Sequence, residues 1–116
     1  MALFIMETIF AGKNCIRLKK TDSTNSFLAG LSIRENVPEG TLVLADCQEL
    51  GRGQRGSKWE SEPGKNILFS MLLKPVFLQP DEQFYLNMSV ALASADFVIS
   101  ALGAGAAVKI KWPNDI

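Results

Sequence analysis

The sequence predicts an α/β fold with βαβ-like order, on three observations. Residues 14–20, NCIRLKK, set Cys15 and Arg17 against Ile16 and Leu18, the period-two pattern of a half-buried strand. Residues 41–47, TLVLADC, and 66–75, NILFSMLLKP, are β-rich apolar runs bounded by turn residues, as strands inside a sheet are. Residues 81–102 contain neither Gly nor Pro and repeat apolar side chains at helical spacing.

Each element follows in order. MALFIMETIF is apolar but about ten residues long and lacks a basic leader, so it is too short to span a bilayer and reads as a strand or a loosely attached extension over residues 1–13. After the strand at 14–20, Asp22 or Ser23 is positioned to cap a short helix carrying Phe27, Leu28, Leu31 and Ile33, which stops by Pro38. PEG at 38–40 turns the chain into the central apolar strand. A glycine-rich loop separates that strand from NILFSMLLKP. The stretch from Asp81 to Leu102 would be about 33 Å long as a helix. Asn87, Ser89, Ser94, Asp96 and Ser100 interrupt it too often for a lipid-facing helix, so it is expected to pack on the sheet through Phe84, Met88, Leu92, Ala95, Ile99 and Leu102. GAG at 103–105 ends it, and AVKIKW begins a last strand.

With 116 residues the chain fits a single domain with one modest core. Lys plus Arg equals Asp plus Glu at 12 each, so no global field draws it to nucleic acid or anionic lipid, and any anion site must be local. The absence of histidine removes Ser-His-Asp and Cys-His mechanisms and most zinc sites. Cys15 and Cys47 form no C-x-x-C pair and read as buried thiols of a cytoplasmic protein.

The loop GRGQRGSKWES, 51–61, is the most informative stretch. Gly51, Gly53 and Gly56 within six residues suggest positive φ or a closely approached backbone, whose N–H groups can cradle an anion. Arg52, Arg55 and Lys58 add three cations, and Trp59 offers a ring to pack or stack. A solvated hairpin tip would use the same glycines. No Walker A pattern is present, and the embedded G-x-G-x-x-G precedes a strand rather than a helix N-terminus, which excludes dinucleotide binding.

DSTN at 22–25, GRGQRGSKW at 51–59 and KWPND at 111–115, in this order and on these elements, resemble the catalytic domain of biotin protein ligases, in the biotin/lipoate ligase superfamily. The resemblance covers residues 14–116. It implies a mixed β-sheet packed by helices, related to class II aminoacyl-tRNA synthetases, and ATP-dependent ligation of biotin to a lysine of a biotin carboxyl carrier protein through biotinyl-5'-AMP. Acetyl-CoA carboxylase or another biotin-dependent carboxylase would contain that carrier. ATP and Mg²⁺ would take part, with neither nucleic acid nor membrane as partner. The biotin carboxylate must approach the α-phosphate of ATP, two anions that repel unless positive charge is fixed around both. A loop that closes over the adenylate would exclude water until the acceptor lysine arrives.

Carried over by residue, Ser23, Thr24, Asn25 and Gln48 match positions lining a biotin pocket, though Ser23 would equally serve as a helix cap and Gln48 as a polar strand end. Arg52, Gly53 and Gln54 match the segment that meets the biotin carboxylate and adenylate phosphate. Arg55, Lys58, Trp59, Lys111 and Asn114 match nucleotide-side positions, and Asp115 could hold Mg²⁺ or orient the incoming amine. Arg52, Lys111 and Asp115 are the catalytic candidates; a Pro-bent strand end would carry the same KWPND residues.

Two departures accompany the match. Gln54 stands where the family often has an arginine, and an amide cannot neutralise charge, so retention of the adenylate would lean on Arg55. The family's essential lysine and pocket-closing strands lie beyond KWPND, so the chain is expected to be a truncated catalytic domain with little or no ligation of its own. No winged-helix DNA-binding domain is expected, and an open sheet edge would permit a homodimer. A lipoate or octanoate transferase and a non-catalytic anion-binding fragment are the alternatives. Residues 48–65 carry four cations against three acids, too few for nucleic-acid tracking.

Overall fold

A computed structural model of the chain describes residues 8–52 and 58–116, and for Arg52 and Trp59 the backbone alone. Two compact units divide at residues 74 and 75. The first carries β1 (Cys15–Thr21), α1 (Thr24–Arg34), β2 (Leu42–Gln48), β3 (Gly51–Arg52), β4 (Lys58–Trp59) and β5 (Leu68–Met71). The second carries a 3₁₀ turn (Pro80–Glu82) and α2 (Gln83–Leu102).

The class is α/β with a mixed sheet, in the order β1-β2-β5. β1 runs parallel to β2 from Cys15↔Leu42 to Thr21↔Gln48, and α1 makes the crossover between them. β5 is antiparallel to β2, from Leu42↔Met71 to Ala45↔Leu68. The central strand is the most buried one, because both its neighbours and α1 remove it from water. Val43 is fully buried, with Leu28 of α1 and Val37 beside it. Ile16, Leu18, Phe27, Leu31 and Leu72 pack around that centre.

The turn into β2 is held by polar atoms that leave no buried group unmet. Thr41 is fully buried; its hydroxyl donates to the Pro38 carbonyl at 2.7 Å and accepts from Asn14 Nδ2 at 3.1 Å. Gly40 has φ +82°, a left-handed conformation that only glycine adopts without strain. A Cβ there would lie 2.6 Å from the Phe10 carbonyl oxygen. Gly12 N–H donates to the Gly40 carbonyl at 2.8 Å, so the described end of the N-terminal extension is docked on this turn rather than loose.

Several expectations are corrected. Cys15 is exposed and Cys47 only half-buried; β1 turns Ile16 and Leu18 toward α1, which leaves its odd positions on the other face. Ile33 is 86 % exposed, because the inward face of α1 is set by Leu28 and Leu31. The strand expected over 66–75 is paired only over Leu68–Met71.

On α2 Ala91 and Ala95 are buried and Met88 and Val98 half-buried; of the expected stripe Met88 and Ala95 fall on this side, while Phe84, Leu92, Ile99 and Leu102 are exposed. The alanines let the chain after the helix come close: Met88, Ala91 and Leu92 face Ile110, Trp112 and Pro113 across a small apolar cavity. The expected last strand is absent; residues 106–110 are irregular and Lys111↔Asp115 is an isolated bridge. A strand exists only in a ladder, and no other strand is described in this unit. Pro80–Leu102 is long and apolar enough, by length and composition, to cross a membrane. Docking of α2 on the sheet remains an expectation, since the helix and the sheet fall in different units.

Candidate functional site

The first unit gathers one set of predicted residues where two parallel strands end, the position at which open α/β sheets place their ligands. DSTN follows β1 and starts α1. Ser23 is the N-cap, in extended conformation (φ −157°, ψ 129°), and its Oγ accepts from the Ser26 N–H at 3.2 Å. Helix capping and pocket lining therefore occur in the same residue.

Gln48 ends β2 directly beside Thr21, so its side chain reaches the start of the helix. The Thr24 N–H donates to Gln48 Oε1 at 3.0 Å. A backbone N–H can only donate, which identifies the Gln48 atom as oxygen and leaves both donors of Nε2 for another acceptor. The Thr24 hydroxyl lies 3.4 Å from the same Oε1 and 2.9 Å from Ser70 Oγ on β5.

These groups open on a cavity of about 290 Å³, small among ligand sites. Ser23, Thr24, Asn25 and Gln48 form its polar side, and residues 67–70 of β5 and its approach form the other. Ser70 and its apolar neighbours were not anticipated from the sequence. The available signal was a serine alternating with Leu68 on the inward face of an apolar strand, where a polar side chain calls for a partner.

The hairpin sits next to this cavity. The ladder between β1 and β2 continues past Gln48: Glu49 N–H donates to the Thr21 carbonyl at 3.0 Å, and Leu50 N–H to that of Asp22 at 2.7 Å. β3 then pairs with β4, Gly51 opposite Trp59 and Arg52 opposite Lys58. Positions carrying two cations thus face each other across a two-residue ladder. Lys58 is exposed and forms no ion pair with a described residue. Two nearby acids are engaged elsewhere, Glu49 with Lys20 at 2.7 Å and Glu62 with Lys65 at 2.6 Å. The Glu49 carboxylate, first through its hydrogen bond and then through its charge, raises the Lys20 pKa above the ordinary 10.5. Gly53, Gln54 and Arg55 lie outside the described residues, as do the side chains of Arg52 and Trp59.

The remaining candidates fall in the second unit. Lys111 and Asp115 close a tight turn through reciprocal backbone hydrogen bonds of 2.7 and 3.0 Å, around a cis Trp112–Pro113 bond, with Asn114 between them. Among the described residues no three His, Cys, Asp or Glu side chains cluster as metal ligands.

Fold and cavity together define an α/β domain with a polar cavity at the ends of its parallel strands. Residues 17–116 match the Biotin/lipoate A/B protein ligase family, and the chain belongs to that family. It is similar to the bifunctional ligase/repressor BirA of Bacillus spizizenii, 39 % identical over 97 % of this chain and 34 % of the relative. It is similar also to the biotin--[acetyl-CoA-carboxylase] ligase of Paracoccus denitrificans, 36 % identical over 85 % of this chain and 40 % of the relative. Among solved structures it resembles the biotin protein ligase of Aquifex aeolicus in complex with biotin and ATP. That likeness has a TM-score of 0.72 at 35 % identity, covering 89 % of this chain and 40 % of the other. The chain spans between a third and two-fifths of the length of these relatives.

Proposed function

We propose that the protein carrying this chain ligates biotin to a lysine of a biotin carboxyl carrier protein, using ATP, in the cytoplasm. The carrying observation is the convergence of Ser23, Thr24, Asn25 and Gln48, from two distant motifs, on one cavity with the GRG hairpin moored beside it.

The cavity's chemistry suits the cyclic urea of biotin. Gln48 Nε2 supplies donors for the urea oxygen, while hydroxyl oxygens on Ser23 and Thr24 supply acceptors for its N–H groups. The ring's apolar flank would lie along Ile67, Leu68 and Phe69. With the ring so held, the valeryl carboxylate extends toward the hairpin.

In the first step a carboxylate oxygen bonds to the α-phosphorus of ATP and pyrophosphate leaves with its electron pair. Arg52, Arg55, Lys58 and the amides around Gly53 and Gln54 would offset the repulsion between the two anions. Opposed cation positions at Arg52 and Lys58 support this role, since like charges across a ladder are unfavourable until an anion lies between them. In the second step the carrier lysine's neutral amine attacks the mixed anhydride and AMP leaves. Trp59 would pack beside the nucleotide, Lys111 and Asn114 would meet the adenylate, and Asp115 would orient the amine.

The serines, Asn87 and Asp96 along α2 support its reading as a helix internal to the domain. Isotope exchange between pyrophosphate and ATP tests the proposal in the protein that carries this chain. Biotin-dependent exchange is expected. Exchange driven by lipoate and not by biotin would transfer the reading to the lipoate branch of the family.

A further inference from the structure

We infer that Ser70 is a positioning residue, whose hydroxyl donates to Thr24 Oγ1 and so fixes the direction of the protons along the Ser70–Thr24–Gln48 chain that meets the ligand. The inference rests on the biotin reading of the cavity.

The proton count along this chain is tight. Thr24 is buried, its hydroxyl has one proton, and two oxygens lie within its reach, Gln48 Oε1 at 3.4 Å and Ser70 Oγ at 2.9 Å. When Ser70 donates, the Thr24 proton turns to Gln48. Oε1 then accepts from both the backbone and the hydroxyl of Thr24, and the amide plane is held at two points. Nε2 is thereby committed as a double donor, and the second lone pair of Thr24 Oγ1 is left as an acceptor. This arrangement matches a urea, whose carbonyl oxygen needs donors and whose N–H groups need acceptors. A dithiolane ring offers neither, so the same chain discriminates between the two acid families.

With Ser70 removed, Thr24 loses its donor, the hydroxyl is free to rotate and Gln48 is held only by the backbone N–H. The cost appears in ligand affinity through residues that Ser70 itself positions. The pairing of Val43 with Ser70 fixes the serine's place on β5 without help from its hydroxyl.

The experiment is calorimetric titration of the protein carrying this chain with biotin and with lipoate, for wild type, Ser70→Ala, Ser70→Thr, Thr24→Val and the double variant Ser70→Ala/Thr24→Val. Ser70→Ala is expected to weaken biotin about tenfold, the ordinary effect of losing a buried hydroxyl partner. Ser70→Thr, which keeps the donor, is expected to restore binding. In the Thr24→Val background Ser70→Ala should cost nothing further. Wild-type affinity in Ser70→Ala, or losses that multiply in the double variant, would overturn the inference while leaving the biotin reading intact. A wild type that does not bind biotin would overturn both. If Ser70→Ala does not fold, Ser70→Cys, a weaker donor of similar size, takes its place with an intermediate loss expected.

Discussion

Gln48 shows how one side chain can serve fold and ligand with different atoms. Its oxygen caps the Thr24 N–H at the start of α1, while its nitrogen is left for a bound molecule. Gln48→Glu separates the two roles, because a carboxylate still accepts from Thr24 and is favoured at a helix N-terminus but has no donor. We expect a melting temperature close to wild type and a loss of biotin affinity of about tenfold or more by calorimetry. Gln48→Ala should lose both, with unfolding in urea showing about 1–2 kcal/mol of destabilisation from the uncapped N–H. Ser23→Ala should cost about 1 kcal/mol of stability through the lost cap. At this scale the sequence was informative wherever a residue's role is local. Ser23 was legible because capping is decided within four residues. Ser70 was not, because its importance depends on the register that brings β5 beside β2 and thus near Thr24, 46 residues away in sequence.

Among elements, the parallel pair β1–β2 and the turn before it carry the architecture. Gly40→Ala would place a methyl at positive φ against the Phe10 backbone. The expected loss is about 1–3 kcal/mol in chemical denaturation, with the segment around Phe10 becoming more susceptible to proteolysis. The Lys20–Glu49 pair at the end of the same two strands gives a pH signature. Because folding raises the Lys20 pKa, the pair's contribution is present in full below the unfolded value of 10.5 and is lost as pH rises through the folded one. Glu49→Gln should therefore lower the melting temperature slightly at pH 8, and its curve should converge with wild type only as pH rises through the raised pKa of Lys20 in the folded state. Strand alternation was readable in β1, where one face is solvated. α2 was harder to read because its residues are apolar on several faces, and the choice of stripe rests on which side small alanines admit the following chain. AVKIKW has strand composition, yet composition cannot supply a neighbouring strand.

For the whole molecule, formal charge balances at zero while Arg52, Arg55 and Lys58 lie close together in sequence, so an anion site in this chain would be local. The motif order made the family legible, because three short patterns on successive elements are improbable together even where each is common. The backbone bond from Leu50 to Asp22 has one more consequence. It ties the foot of the GRG strap to the residue immediately before the cavity's first serine, so filling the cavity should steady both. Deuterium uptake at the Glu49 and Leu50 amides thus becomes a built-in gauge of occupancy, slowing on saturation even though neither residue touches the bound molecule.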